Sequence, residues 1–251
     1  MTQLLLYDKI ILYIIFTFYV ACDIITKKSK LVLRKDKIMT AGLIEIAKNY
    51  VKEKFENEFS GHDYFHSLRV FNMATRIAMA EGANLEIVQL SALLHDVDDR
   101  KTSPETHENQ ANARGFLAAN GIDGETIELI CQIIREISFG SNNERPTTLE
   151  GQCVQDADRL DAIGAIGIGR AFAYGGNHNR HMYHPDVPPN LNMTKDEYRK
   201  SESTTINHFY EKLFKLTALM NTSTALQIAK EREEYMKNFV STFLDEWDGL
   251  K

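Results

Sequence analysis

From residue 39 onward, apolar residues recur at helical spacing, and no stretch alternates as a strand would. The spacing predicts helices near 41–57, 63–81, 84–96, 105–120, 123–138, 150–173, 194–220 and 223–246. End signals support several of these boundaries. Asp63 and Asn84 are N-cap residue types, Asp123 follows Gly121, and Thr194 to Glu197 has the capping-box spacing. Thr222 after Asn221 marks a turn before the last helix. The expected fold class is all-α, a compact multi-helix bundle. One stretch breaks the periodicity: residues 174–193, "YGGNHNRHMYHPDVPPNLNM", hold paired glycines, three histidines and three prolines. A loop this long inside a compact domain is either functional or disordered as a rule. His178, His181 and His184 are expected to form a mobile lid or a polar loop, not a metal site.

The first 38 residues differ in kind. Residues 4–25 are long enough to span a bilayer, but Asp8, Lys9 and Asp23 interrupt them. A basic cluster follows at Lys27, Lys28, Lys30, Arg34, Lys35 and Lys37. If 4–25 were a membrane anchor, that cluster would put the remainder on the cytoplasmic side. The other reading is an upstream extension outside the fold; a cleaved signal peptide fits poorly, since no basic n-region or small-residue cleavage site is present. The expected organisation is a 1–38 extension followed by one domain over 39–251.

Charge narrows the partners. Lys plus Arg is 29 and Asp plus Glu is 35, a net charge of −6. No global field holds a polyanion, so extended nucleic acid is an unexpected partner, while a small anion can still bind through a metal and local cations. Three cysteines without paired spacing point to reduced thiols and a cytoplasmic setting.

The candidate chemistry centres on His95-Asp96, which end the apolar run "IVQLSALLHDVDDRK". Neighbouring side chains on a helix diverge by about 100°, so both reach one ion only if it sits in the wedge beside the helix. An imidazole and a carboxylate suit a divalent ion with positions left open for water and substrate. His66 falls in the first turn after Asp63, on the same face as Val70, Met73 and Ile77, and so points inward. A satisfied core histidine is the competing reading. Asp158 shares a helical face with Val154, Asp161 and Ala165. Carboxylates among apolar neighbours are rare unless paired or metal-bound. Asp156 points about 200° away from Asp158, and Asp161 is placed to orient a ligand. His62, before the cap, reads as a mouth residue able to touch substrate or donate a proton. Gly164, Gly167 and Gly169 continue a helix with no preceding strand, so they are no dinucleotide loop; small residues there let another helix approach.

Together, "HDYFHSLRV", "ALLHDVDDRK" and "QDADRLDAIG" resemble the HD-domain superfamily of metal-dependent phosphohydrolases. "DADRLDAIGAIGIGR" and "HFYEKLFKL…MNTSTALQIAKEREEYM" are similar to its small stand-alone bacterial branch, over roughly 40–248. The resemblance implies an HD-domain bundle in which His66, His95, Asp96 and Asp158 hold one divalent ion, Mn²⁺ or Mg²⁺ first, with other transition metals as alternatives. It implies hydrolysis of a phosphoric ester or anhydride, with a nucleotide as substrate. A signalling-nucleotide phosphodiesterase and a non-catalytic metal- or nucleotide-binding sensor are the alternatives. No G-Y-P segment follows the pair, which disfavours the cyclic-dinucleotide branch. Asp99 is a candidate general base, although Asp98 to Lys101 also reads as a solvated helix end. Candidate phosphate-binding residues are Arg69, Lys101, Arg159 and Lys212, with His208 four residues before Lys212 on the same face.

Overall fold

Every regular element among the described residues is helical, in line with the periodicity. The structure is a computed structural model, and it describes residues 42–56, 63–100, 102–137, 144–192 and 203–251. It divides into Met1–Ile46, described only through the helical residues 42–46, and Ala47–Lys251, which carries the elements from α2 onward. Residues 42–54 are helical (α1). The helices that follow are α2 (Tyr64–Glu81), α3 (Leu85–Leu94), α4 (Ala111–Ala119), α5 (Gly124–Ile137), α6 (Leu149–Asp161), α7 (Gly164–Asn177), α8 (Thr205–Glu211) and α9 (Ser223–Trp247). Helix α8 runs into two single 3₁₀ turns, Leu213–Lys215 and Thr217–Leu219.

Caps set the boundaries. The Asp63 carboxylate accepts from the His66 N–H and starts α2, and Gly82 ends it at φ 78°. Asn84 caps α3 through the Glu86 and Ile87 N–H groups. Thr148, Thr204 and Thr222 cap α6, α8 and α9, each accepting from the N–H three residues on. Each such cap satisfies a donor that the helix itself leaves unpaired, worth about 1 kcal/mol.

Helices α2, α3 and α6 pack on one another. Val70, Ala74 and Ile77 from α2, Leu90, Leu93 and Leu94 from α3, and Val154, Ala157 and Leu160 from α6 are fully buried. Burying each larger side chain is worth roughly 1.5–3 kcal/mol. A second cluster joins α7, α8 and α9 through Phe172, Phe209 and Phe239, with ring centroids 5.9–6.4 Å apart. Cys131 and Cys153 are buried free thiols; burial, then nearby carboxylates, push Cys153 up to about 12.

Three predicted boundaries are corrected. The helix expected near 105 begins at Ala111, behind Gln110 at φ 55°. Its cap comes from afar: Asp98 accepts from the N–H groups of Asn112 and Ala113 at 3.1 and 2.9 Å. Asp98 is therefore a buried cap, not part of a solvated helix end. The helix expected over 150–173 is two: α6 stops at Asp161 and α7 restarts at Gly164, whose φ is 78°. Only glycine adopts that backbone at no steric cost. Helix α7 then continues to Asn177, past the expected loop start. The helix expected over 194–220 is, where described, the short α8 and its 3₁₀ turns; Thr194 to Glu197 lie outside the described residues.

The irregular stretch that follows α7 is tied to α8 and the turn beyond it. The N–H groups of Thr205 and Ile206 donate to the His181 and Met182 carbonyls. Asn207 Nδ2 donates to the Val187 carbonyl, the Asn190 N–H to Glu211, and Lys215 Nζ to the Leu191 carbonyl. Among the described residues no helix is long and apolar enough to cross a membrane. The possible anchor at 4–25, and His62 and Lys101, lie outside the described residues.

Candidate metal centre

Three helix ends meet in one place. His66 sits in the first turn of α2, held there by the Asp63 cap. His95 is the C-terminal cap of α3 at φ −60°, still helical in backbone, and Asp96 follows it out of the helix. That exit lets two adjacent side chains turn to one point, as the wedge geometry requires. Asp158 lies in the last turn of α6.

The ligating atoms of His66, His95 and Asp96 all lie within 4.8 Å of one another, a group that could hold a metal ion. The two Nε2 atoms are 3.3 Å apart. Asp96 Oδ2 is 3.1 Å from His95 Nε2 and 3.5 Å from His66 Nε2. Asp158 Oδ1 lies 3.4 Å from His66 Nε2. The second nitrogen of each ring fixes the tautomer. His95 Nδ1 donates to the Ala92 carbonyl at 2.9 Å, and His66 Nδ1 donates to Asp161 at 2.8 Å. Both Nε2 lone pairs then face each other and two carboxylates, an arrangement that only a shared proton or cation relieves. His95 reports that field. Burial opposes its protonation, but the carboxylates of Asp96 and Asp158 outweigh burial and push the ring up to about 9. The same field favours a cation. Two imidazoles with carboxylate oxygens form a donor set that suits a divalent ion. The side chain of His66 is 2% exposed and that of Asp158 26%, so the site opens on the Asp158 side.

Asp161, expected to orient a ligand, sits behind His66. Its Oδ1 accepts from Arg69 Nε at 2.7 Å, and its Oδ2 from Arg69 Nη2 at 3.0 Å, Arg170 Nη1 at 2.6 Å and His66 Nδ1. Burial alone would raise this carboxyl, but the bonds from His66 and Arg69 and the Arg170 charge hold it well below the usual carboxylate range. Asp161→Asn is expected to weaken divalent-ion binding about 10- to 100-fold with the helices intact, since it unfixes the His66 ring; calorimetric titration checks this.

Asp156 faces away from the group, as its spacing predicts. It is fully buried and accepts from the N–H groups of Asn221 and Thr222, from the Thr222 hydroxyl and from Asn221 Nδ2. It anchors the turn that starts α9.

Two of the candidate phosphate ligands, Arg69 and Arg159, have partners within the protein. Arg69 is committed to Asp161 through two nitrogens. Arg159 is buried and its Nη1 donates to the Leu219 carbonyl. Arg159 is thus held inside, whereas Arg69 keeps about a third of its side chain exposed. His208 is held neutral: burial, then the charges of Lys212 and Arg180, push it down to about 3. Lys212 ends α8 and its N–H donates to the His208 carbonyl. Asp99 follows Asp96 by one turn, its N–H on the Asp96 carbonyl at 3.0 Å. Arg170 escaped sequence reading, because its place depends on the break after Asp161. The signal was Gly164, read only as a small residue for close helix approach. Against Gly164, a Cβ would indeed meet Arg232 Cγ of α9 at 3.0 Å, whereas nothing approaches Gly169 within 4 Å.

A helical bundle with a His, a His-Asp pair and a distant Asp at one point defines an HD-type hydrolase class. The HD domain family model matches residues 63–163, and the chain belongs to that family. It is 35% identical to the Bacillus subtilis protein YpgQ over 209 residues, 82% of this chain and 94% of YpgQ. Among solved structures it resembles a Lactobacillus plantarum protein at 42% identity, with a TM-score of 0.70 over 82% of this chain and 97% of that one. It also resembles an HD-superfamily hydrolase from Bacillus thuringiensis at 38% identity, with a TM-score of 0.69 over 84% and 99%. YpgQ in complex with ADP superposes at a TM-score of 0.66 and 32% identity, over 83% and 96%.

Proposed function

We propose that this protein is a phosphohydrolase that uses one divalent ion, Mn²⁺ or Mg²⁺, to cleave a nucleotide's phosphoric ester or anhydride. The observation that carries the reading is the convergence of His66, His95 and Asp96 within 4.8 Å, with Asp158 3.4 Å from His66. The domain is the segment 39–251, and its chemistry is suited to the cytoplasm. In this reading His66, His95, Asp96 and Asp158 are the ligands. A bound ion supplies Lewis acidity, bringing the pKa of a water toward neutrality and offsetting charge on the phosphoryl oxygens.

The remaining work belongs to the chain. Substrate enters on the Asp158 side, where the group is open. Asp99, one turn past the pair, takes the proton from the attacking water; a carboxylate does this only within hydrogen-bond reach of that water. His62 donates a proton to the leaving oxygen in this reading. Lys101 and Lys212 neutralise phosphate charge, and neutral His208 donates or accepts a hydrogen bond there. Arg69 and Arg159 are left to their internal partners. The nucleotide assignment is supported by the ADP complex of YpgQ and is an inference for this chain.

The test is purified protein with Mn²⁺ and a panel of nucleoside mono-, di- and triphosphates and signalling nucleotides, assayed for phosphate and pyrophosphate release. Release from at least one nucleotide is expected. Tight nucleotide binding with no release from any would overturn the reading in favour of a sensor.

A further inference from the structure

We propose that Arg170 is a positioning residue for His66, acting through Asp161, and that the break between α6 and α7 serves to deliver it. The inference rests on the reading of His66 as a metal ligand.

Asp161 ends α6 and Arg170 lies nine residues further on. In an unbroken helix, nine residues span about 13.5 Å along the axis and roughly 180° around it, so the two side chains would diverge. Here Arg170 Nη1 is 2.6 Å from Asp161 Oδ2 and 3.4 Å from the Asp161 carbonyl oxygen. The chain achieves this by stopping at Asp161, passing Gly164 at φ 78° and restarting α7 in a new direction. Two glycines make so tight a return possible. At Gly164 the backbone conformation disfavours any side chain. At Gly167 a Cβ would lie 2.2 Å from the Ala162 carbonyl oxygen, inside contact distance with rigid backbone.

The delivered guanidinium completes a clamp. Arg69 from α2 takes both carboxylate oxygens, and Arg170 from α7 takes Oδ2 from another helix. Asp161 is 5% exposed at its side chain, with the two arginines about a third exposed, at 34% and 32%. A single bond from His66 would leave the carboxylate free to rotate; the two-nitrogen fork of Arg69 and the Nη1 of Arg170, from different helices, fix its plane. The imidazole that donates to it is fixed in turn, with Nε2 aimed at the other candidate ligands.

The test uses the full chain without substrate. Mn²⁺ is titrated into wild type, Arg170→Met, Arg170→Lys, Asp161→Asn and the Arg170→Met/Asp161→Asn double variant, each checked for native helix content. Arg170→Met is expected to weaken Mn²⁺ binding about tenfold. Arg170→Lys, which keeps the charge and loses the planar guanidinium, is expected to recover part of that and to sit about threefold below wild type. In the Asp161→Asn background, Arg170→Met is expected to add nothing, because residues acting through one partner are not additive. Should Arg170→Met fail to fold, the same cycle is run with Arg170→Lys. Unchanged Mn²⁺ affinity in the folded Arg170 variants, or effects that simply add to Asp161→Asn, would overturn the inference while leaving the metal site standing. Absence of Mn²⁺ binding to the wild type would instead sink the reading of the site, and this inference with it.

Discussion

Replacing His95 or Asp96 by alanine lowers kcat/KM for the best nucleotide by about a thousandfold or more, with the helical bundle intact. The size follows from what the ion contributes. Lewis-acid stabilisation of a phosphoryl transition state is worth several kcal/mol; about 4 kcal/mol at 1.36 kcal/mol per decade is a thousandfold. Either substitution removes one of the three groups that lie within 4.8 Å of one another. The helix is spared because His95 is already its C-terminal cap and Asp96 lies beyond it. Steady-state assay beside metal analysis checks this. A variant that loses metal yet keeps turnover contradicts the assignment.

The second large effect is on stability, at a residue two positions from a proposed ligand. Asp156→Ala is expected to cost about 3–5 kcal/mol, whereas Asp158→Asn is expected to strip the ion and leave folding close to wild type. Asp156 is fully buried and receives four donors from Asn221 and Thr222, two of them backbone N–H groups. Its loss leaves those donors unsatisfied away from water, and hydrogen bonds to a charged acceptor are the strong kind. At roughly 2–4 °C per kcal/mol for a chain of this size, the melting temperature falls by about 10 °C. Asp158 has a quarter of its side chain exposed, so its amide can be solvated. Thermal melts beside metal analysis of the two variants separate the roles. Equal loss of metal in both undoes the choice of Asp158 over Asp156.

That Asp156 and Asp158 face different ways is legible in the chain, since residues two apart on a helix diverge. So is the inward turn of His66, because an Asp63 cap and the apolar positions behind it set the helical phase. What sequence missed shares one cause: partners distant along the chain. Nothing near Ala111 announces that Asp98 caps it. The apolar run over 150–173 keeps its period across the break, and the positive φ of Gly164 shows only once α7 packs back. Arg69 and Arg159 look like free cations in sequence because their acceptors, Asp161 and the Leu219 carbonyl, lie 92 and 60 residues away. The four proposed ligands were easier, since metal-ligand residue types stand out against apolar faces whatever the tertiary fold.

The most direct measurement is anomalous diffraction from crystals of the full chain grown with Mn²⁺. The account predicts one peak about 2.0–2.3 Å from His66 Nε2, His95 Nε2 and carboxylate oxygens of Asp96 and Asp158. No peak among those four side chains at saturating Mn²⁺, or a peak held by other residues, contradicts it.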